Sequence, residues 1–212
     1  QLGIDVFFGP AQFESHRTIR VDESHISFRR CILATGSRPA IPDISGLDQT
    51  SYLTNETLFS LTERPAKLTI IGAGPIGVEM AQAFSRFGSQ VTLIDQASQL
   101  LPREEPEASQ LLRKQFEQEG IQLHLDNQAA EVKSQDQGHL VQLQSSSQTQ
   151  PIHGDQLLIA TGRQPNLAGL NLEAGGIQYS PRGVTVDARL RTSNRRVFAA
   201  GDITGDEQFT HA

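Results

Sequence analysis

The residues that stand out chemically are three glycines and an acid. Gly72, Gly74 and Gly77 sit in Ile70-Ile71-Gly72-Ala73-Gly74-Pro75-Ile76-Gly77, a Gly-x-Gly-x-x-Gly pattern, and Asp95 follows downstream. Gly72 permits a tight turn, Gly74 lets the backbone approach a pyrophosphate, and Gly77 allows a helix to pack closely on a strand. Pro75 falls at the start of the helix, where a missing N–H costs nothing. The N–H groups of Ile76 and Gly77 then lie at a helix N-terminus, the positive end of a dipole suited to an anion. An acid about 20 residues after the first glycine is placed to accept the hydroxyls of an adenosine ribose, with Gln96 beside it. Its negative charge would repel a 2′-phosphate, so the pattern predicts NAD(H) in preference to NADP(H).

These residues do chemistry only if a strand, a turn, a helix and a second strand hold them in order. Leu68–Ile71 and Gln90–Ile94 read as strands, and Gln122–Leu125 as a third. Ile76, Met80, Ala83, Phe84 and Phe87 recur at spacings of three and four, which predicts a helix over Ile76–Phe87. Ala108, Leu111, Leu112 and Phe116 do the same within Glu104–Glu119, with acidic residues at the start and Gly120 after the end. A shorter helix is expected over Glu56–Leu61 behind Thr54 or Asn55. The order is βαβαβ, hence parallel strands joined by right-handed crossovers. Further strands are expected at Val6–Phe8, Arg17–Val21, His25–Ser27, Arg30–Ala34, Ala129–Ser134, His139–Gln144, Gln156–Ala160 and Arg196–Ala199, with a hairpin tip at Ser145–Thr149. The fold class is therefore α/β, a Rossmann-like unit with a β-meander. Breaks at Pro39–Pro42 and Pro165–Asn166 suggest domain crossings.

Composition narrows the alternatives. The 212 residues carry 18 basic and 24 acidic side chains, a net charge of −6, which speaks against a nucleic-acid surface. No apolar run approaches a membrane span and no secretory signal pattern opens the chain, so no membrane association and a cytoplasmic location are expected. Cys31 is the single cysteine and excludes a paired-thiol centre within these residues; its apolar strand suggests a small buried thiol. His16, His25, His124, His139, His153 and His211 lack metal-ligand spacing. The chain opens without Met on an apolar run and closes abruptly, and so reads as a piece of a longer protein.

A short echo completes the pattern. Ile32-Leu33-Ala34-Thr35-Gly36-Ser37-Arg38-Pro39 returns as Leu158-Ile159-Ala160-Thr161-Gly162-Arg163-Gln164-Pro165, and Val197-Phe198-Ala199-Ala200-Gly201-Asp202 is another strand ending in Gly-Asp. Two Ala-Thr-Gly turns bracketing a Gly-x-Gly-x-x-Gly, then a Gly-Asp, resemble the flavin-dependent pyridine nucleotide–disulfide oxidoreductases. The stretch MAQAFSRFGSQVTLID followed by LLPREEPEAS is most similar to the branch with mercuric reductase and dihydrolipoamide dehydrogenase.

The resemblance implies a partial FAD domain over 1–43, an NAD(H) domain over 44–161 and a return to the FAD domain over 162–212. It implies that Asp202 bonds the flavin ribityl chain and that Gly201 permits close approach. Thr35 and Gly36 would lie beside the FAD adenosine half, Ala11 at the adenine, and Arg163 near the FAD pyrophosphate. Gly162 would line the nicotinamide, Ala129 would meet the NAD adenosine half through its backbone, and Glu79 would lie near the flavin–nicotinamide stack. The family's first Gly-x-Gly-x-x-Gly, its Cys-x4-Cys pair and its C-terminal dimer domain are not in these residues.

The expectation is thus part of an enzyme, homodimeric when whole, that passes hydride from NADH to FAD and on to a disulfide, metal ion or other acceptor. The 212 residues alone are expected to show no reductase turnover and to retain no stable FAD. Two alternatives stand: a thiol-free NADH dehydrogenase or ferredoxin-reductase-like flavoenzyme, and a non-catalytic NAD-binding module.

Overall fold

A computed structural model describes residues 3–144 and 151–205. The expected hairpin tip at 145–149 and His211 lie outside the described residues. The chain starts with β1 (Ala11–Ser15), β2 (Thr18–Val21), β3 (Ser24–Ser27), β4 (Cys31–Leu33) and β5 (Ser37–Pro39). The middle carries β6 (Lys67–Ile71), α1 (Pro75–Arg86), β7 (Gln90–Ile94), α2 (Pro106–Gln118), β8 (Gln122–His124), β9 (Gln128–Gln135), β10 (Gly138–Gln144), β11 (Pro151–Gly154) and β12 (Gln156–Ile159). β13 (Arg163–Pro165), β14 (Tyr179–Ser180), β15 (Gly183–Val184) and β16 (Val197–Ala199) follow. The chain divides into two compact units, Pro39–Gly162 and the described residues on either side of it, 3–38 and 163–205. Among the described residues no helix is long and apolar enough to cross a membrane.

The unit Pro39–Gly162 is built on a four-stranded sheet in the order β12-β6-β7-β8, every pair parallel. Period-2 alternation sorts its side chains. Leu68, Ile70, Val91, Leu93 and Leu158 pack with Val78 and Ala81 of α1 and Phe116 of α2. Ile71, Ile94, Leu157 and Ile159 face the other way and pack with Val132, Val141, Leu143 and Ile152 of an antiparallel meander, β11-β10-β9. The sheet therefore has helices on one face and a meander on the other, and both faces are apolar because both are covered. Leu53 bridges to Leu158 in parallel, so a further extended segment flanks β12.

The outer unit holds an antiparallel sheet β1-β2-β3, the parallel pair β16-β4, the pair β13-β5 and the hairpin β14-β15. Its core gathers Phe13, Leu33, Leu172, Val197, Ala199 and Ile203.

Two local expectations fail. Val6, Phe7 and Phe8 form no strand; they are exposed at 67%, 51% and 87%, and the strand forms instead at β1. β-propensity needs a ladder partner, and the turn after Ser15 presents Ala11–Ser15, not Val6–Phe8, to β2. The helix expected over Glu56–Leu61 is a turn with a 3-10 segment at Leu58–Ser60. There Thr54 works locally: its hydroxyl accepts the Glu56 amide at 3.2 Å, and its own amide donates to the Thr57 hydroxyl at 2.9 Å. Such side-chain bonds offer the backbone an alternative to a helix.

Candidate functional site

The glycine turn lies at the C-terminal end of β6, where it leads into α1. Gly72 has φ +115°, and a β-carbon there would collide with the Ala160 carbonyl. At Gly77 a β-carbon would collide with the Gly72 carbonyl, so the helix approaches the strand only because the side chain is absent. Gly74 is different. Its φ of −73° suits any residue, and among the described residues, its own chain neighbours aside, nothing lies within 4 Å of where its β-carbon would be. The fold itself does not require glycine at this position.

Gly74 is the N-cap of α1 and Pro75 its first residue; the Val78 amide makes the first intrahelical bond, to the Gly74 carbonyl at 3.0 Å. The Ile76 and Gly77 amides precede that bond and point out of the helix end. Here the N–H groups, the dipole and the open space at Gly74 converge, as an anion requires.

Asp95, at the end of β7, is brought to this turn. One carboxylate oxygen accepts the Ala73 amide at 2.5 Å and the other the Ala97 amide at 2.7 Å. An ionised carboxylate offers about four acceptor positions, so both oxygens keep capacity for ribose hydroxyls. The loop after Asp95 returns over the turn, with the Leu101 amide bonded to the Ala73 carbonyl at 2.8 Å and Leu100 fully buried. The periodicity did not reveal this loop's role. Gln96 is exposed beside Asp95. Glu79 is exposed on α1. Gly162 lies two residues past Ala160, against which Gly72 packs, with φ +123° and open space on its Cα. Ala129 points into the core at 5% exposure, leaving only its backbone for a ligand. A cleft of about 340 Å³ between Leu61–Ala66, Asp155 and Gln156 lies at the other end of the sheet, where β6 and β12 begin. It shares no residue with the glycine turn.

In the outer unit Ser37, Arg163 and Asp202 form one cluster. The Ser37 hydroxyl donates to Asp202 Oδ2 at 2.5 Å and accepts from Arg163 Nε at 2.6 Å. Arg163 Nε stands 3.2 Å from the same carboxylate oxygen, and its Nη2 donates to the Ser37 carbonyl at 3.0 Å. Asn166 joins this side of the echo to the first Ala-Thr-Gly turn: its amide donates to the Gly36 carbonyl at 3.0 Å, its side chain to the Thr35 carbonyl at 2.9 Å, and its own carbonyl accepts the Thr35 hydroxyl at 3.1 Å. Ser37 and Asn166 were not singled out by sequence; their place in the repeated turn was the available signal. Ala11 and Thr35 line one small apolar cleft of about 160 Å³ with Cys31, whose thiol pKa burial raises. Among the described residues no group of acids, histidines and cysteine is placed to hold a metal ion.

A parallel sheet whose strand runs through such a turn into a helix defines the FAD/NAD(P)-binding α/β class. The family model for pyridine nucleotide-disulphide oxidoreductases matches residues 1–212, and the chain belongs to that family. It is 36% identical over 210 residues to a mercuric reductase of Bacillus cereus, covering 99% of this chain and 33% of that protein. It is 34% identical over 214 residues to the dihydrolipoyl dehydrogenase of Bacillus subtilis (strain 168), covering 99% of this chain and 46% of that protein. Among solved structures it is similar to the HOCl-induced flavoprotein disulfide reductase RclA from Escherichia coli, with TM-score 0.88 and 34% identity over 98% of this chain and 48% of that one. The chain thus spans less than half the length of these relatives.

Proposed function

We propose that these residues are part of an FAD-dependent pyridine nucleotide oxidoreductase, with NAD(H) held by the middle of the chain and the flavin by its two flanks. In this reading residues 44–161 are the NAD(H) domain, while 1–43 and 162–212 belong to the FAD domain. The open space at Gly74 carries the proposal. Two glycines of the turn are demanded by the protein's own packing and the third is not, so a ligand's close approach is the reason that remains. The Ile76 and Gly77 amides would take the pyrophosphate, with Pro75 starting the helix that presents them. Asp95 would accept the adenosine ribose hydroxyls, with Gln96 at the rim and the Ala129 backbone nearby. Gly162 would leave room for the nicotinamide, and Glu79 would lie near it.

The negative Asp95 favours NAD(H) over NADP(H). When bound, NADH supplies a hydride that FAD accepts. Asp202 would bond the ribityl hydroxyls, Gly201 would admit the backbone close to them, Arg163 would approach the FAD pyrophosphate, and Thr35, Gly36 and Ala11 would border the adenosine half. The relatives' names support a flavin-linked disulfide or metal-ion acceptor further along. Homodimerisation and a cytoplasmic location, where NADH is supplied, belong to the same reading.

Titration of the chain with NADH, followed by the nicotinamide fluorescence, tests it. Saturable binding that is tighter for NADH than for NADPH and is weakened in Asp95→Ala is expected. Equal, weak responses to both nucleotides would overturn it.

A further inference from the structure

We infer that Ser37 is a positioning residue for the flavin, acting through the carboxylate of Asp202. The inference rests on the reading of Asp202 as the ribityl acceptor and adds a residue to it. Ser37 is 9% exposed in β5, and its hydroxyl is the joint of the cluster, receiving a proton from Arg163 Nε and giving its own to Asp202 Oδ2. Arg163 also grips the Ser37 carbonyl, which fixes the serine backbone as well as its side chain.

Asp202 Oδ2 thus meets the hydroxyl at 2.5 Å and the guanidinium at 3.2 Å, and both constrain which way the carboxylate faces. The Asp202 side chain keeps 23% exposure and that of Arg163 17%, so the pair is held from within while part of the acid stays accessible to a ligand hydroxyl. Gly36 precedes Ser37 and Gly201 precedes Asp202; both have positive φ, and among the described residues, their own chain neighbours aside, nothing lies within 4 Å of either β-carbon position. Both ends of the hydroxyl–carboxylate bond therefore border open space.

A carboxylate that must accept from a polyol in one orientation gains from being oriented before the ligand arrives, because less freedom is lost on binding. Arg163 Nε meets the carboxylate as a longer charge contact, at 3.2 Å. The serine hydroxyl supplies the second, directional bond.

The test uses the full-length protein that contains these residues, deflavinated and titrated with FAD by flavin fluorescence. Wild type is measured first: failure to take up FAD overturns the flavin reading itself. If wild type binds, Ser37→Ala is expected to weaken FAD roughly three- to tenfold, the loss of one hydrogen bond's worth of orientation, and Ser37→Thr, which keeps the hydroxyl, to bind within about twofold of wild type. In the Asp202→Ala background, which removes the acceptor of the serine hydroxyl, Ser37→Ala is expected to cost nothing further, since Ser37 acts through that side chain. Undiminished FAD affinity in Ser37→Ala, or losses in the two single variants that multiply in the double variant, would overturn the inference. Should Ser37→Ala fail to fold, Ser37→Cys, close in size and a weak donor, replaces it with the same outcomes.

Discussion

The Asp95 carboxylate accepts the Ala73 amide at 2.5 Å, joining the end of β7 to the glycine turn at the end of β6. In the proposed reading this bond holds the acid where a ribose would lie beside a pyrophosphate on α1. Asp95→Ala is expected to weaken NADH by at least about tenfold, the worth of a charge-assisted bond, and to narrow the gap between NADH and NADPH by removing the charge that repels a 2′-phosphate. Parallel fluorescence titrations with the two nucleotides check both outcomes.

Gly74 and Gly77 separate binding from folding. Gly77→Ala drives a β-carbon into the Gly72 carbonyl and is expected to cost about 1–3 kcal/mol or more of stability. Gly74→Ala meets open space at an ordinary φ and is expected to change stability by less than about 1 kcal/mol, yet to reduce NADH affinity by about tenfold or more. Thermal unfolding set beside NADH titration reads the contrast, and a Gly74→Ala protein that binds NADH normally would remove the ligand as the reason for that glycine.

His139 makes the fold sensitive to acid. It lies in β10 at 1% exposure, its ring packed against Gly154, and no partner reaches its Nε2 among the described residues. Burial lowers its pKa from 6.5 to about 4, with Asp155 opposing the shift and His153 adding to it. The folded state therefore disfavours the proton that the unfolded chain takes up. Stability is fully present above about pH 6.5 and falls as the pH drops from there to about 4, by an amount on the order of 3 kcal/mol. His139→Leu is expected to flatten the melting temperature across that window; an unchanged slope would place the acid sensitivity elsewhere.

Cys31 is expected to react slowly. Burial raises its thiol pKa, which leaves less thiolate at neutral pH. Alkylation at pH 8 should run below the rate for a cysteine peptide in the folded protein and match it in denaturant.

Sequence reading reached furthest where a feature repeats or obeys a local rule. The glycine turn, Asp95 and the two long helices follow from spacing and capping chemistry, and α1 and α2 form within a residue or two of their expected limits. It failed at Val6–Phe8, where β-propensity met no ladder partner, and at Glu56–Leu61, where the Thr54 and Thr57 hydroxyls bond the backbone in place of a helix.

What the residues determined by themselves was the type and order of the chemistry-bearing turns, because backbone freedom at glycine, the fixed φ of proline and hydrophobic period are local properties. Only the tertiary structure decided which of those turns touch. It set the Asp95 carboxylate on the Ala73 amide, closed Ser37, Arg163 and Asp202 into one cluster, and left Gly74 with nothing opposite it. Each of these depends on strands distant in sequence being laid side by side, and the energy that brings them together is the burial of the two apolar faces of the sheet and of the outer unit's core.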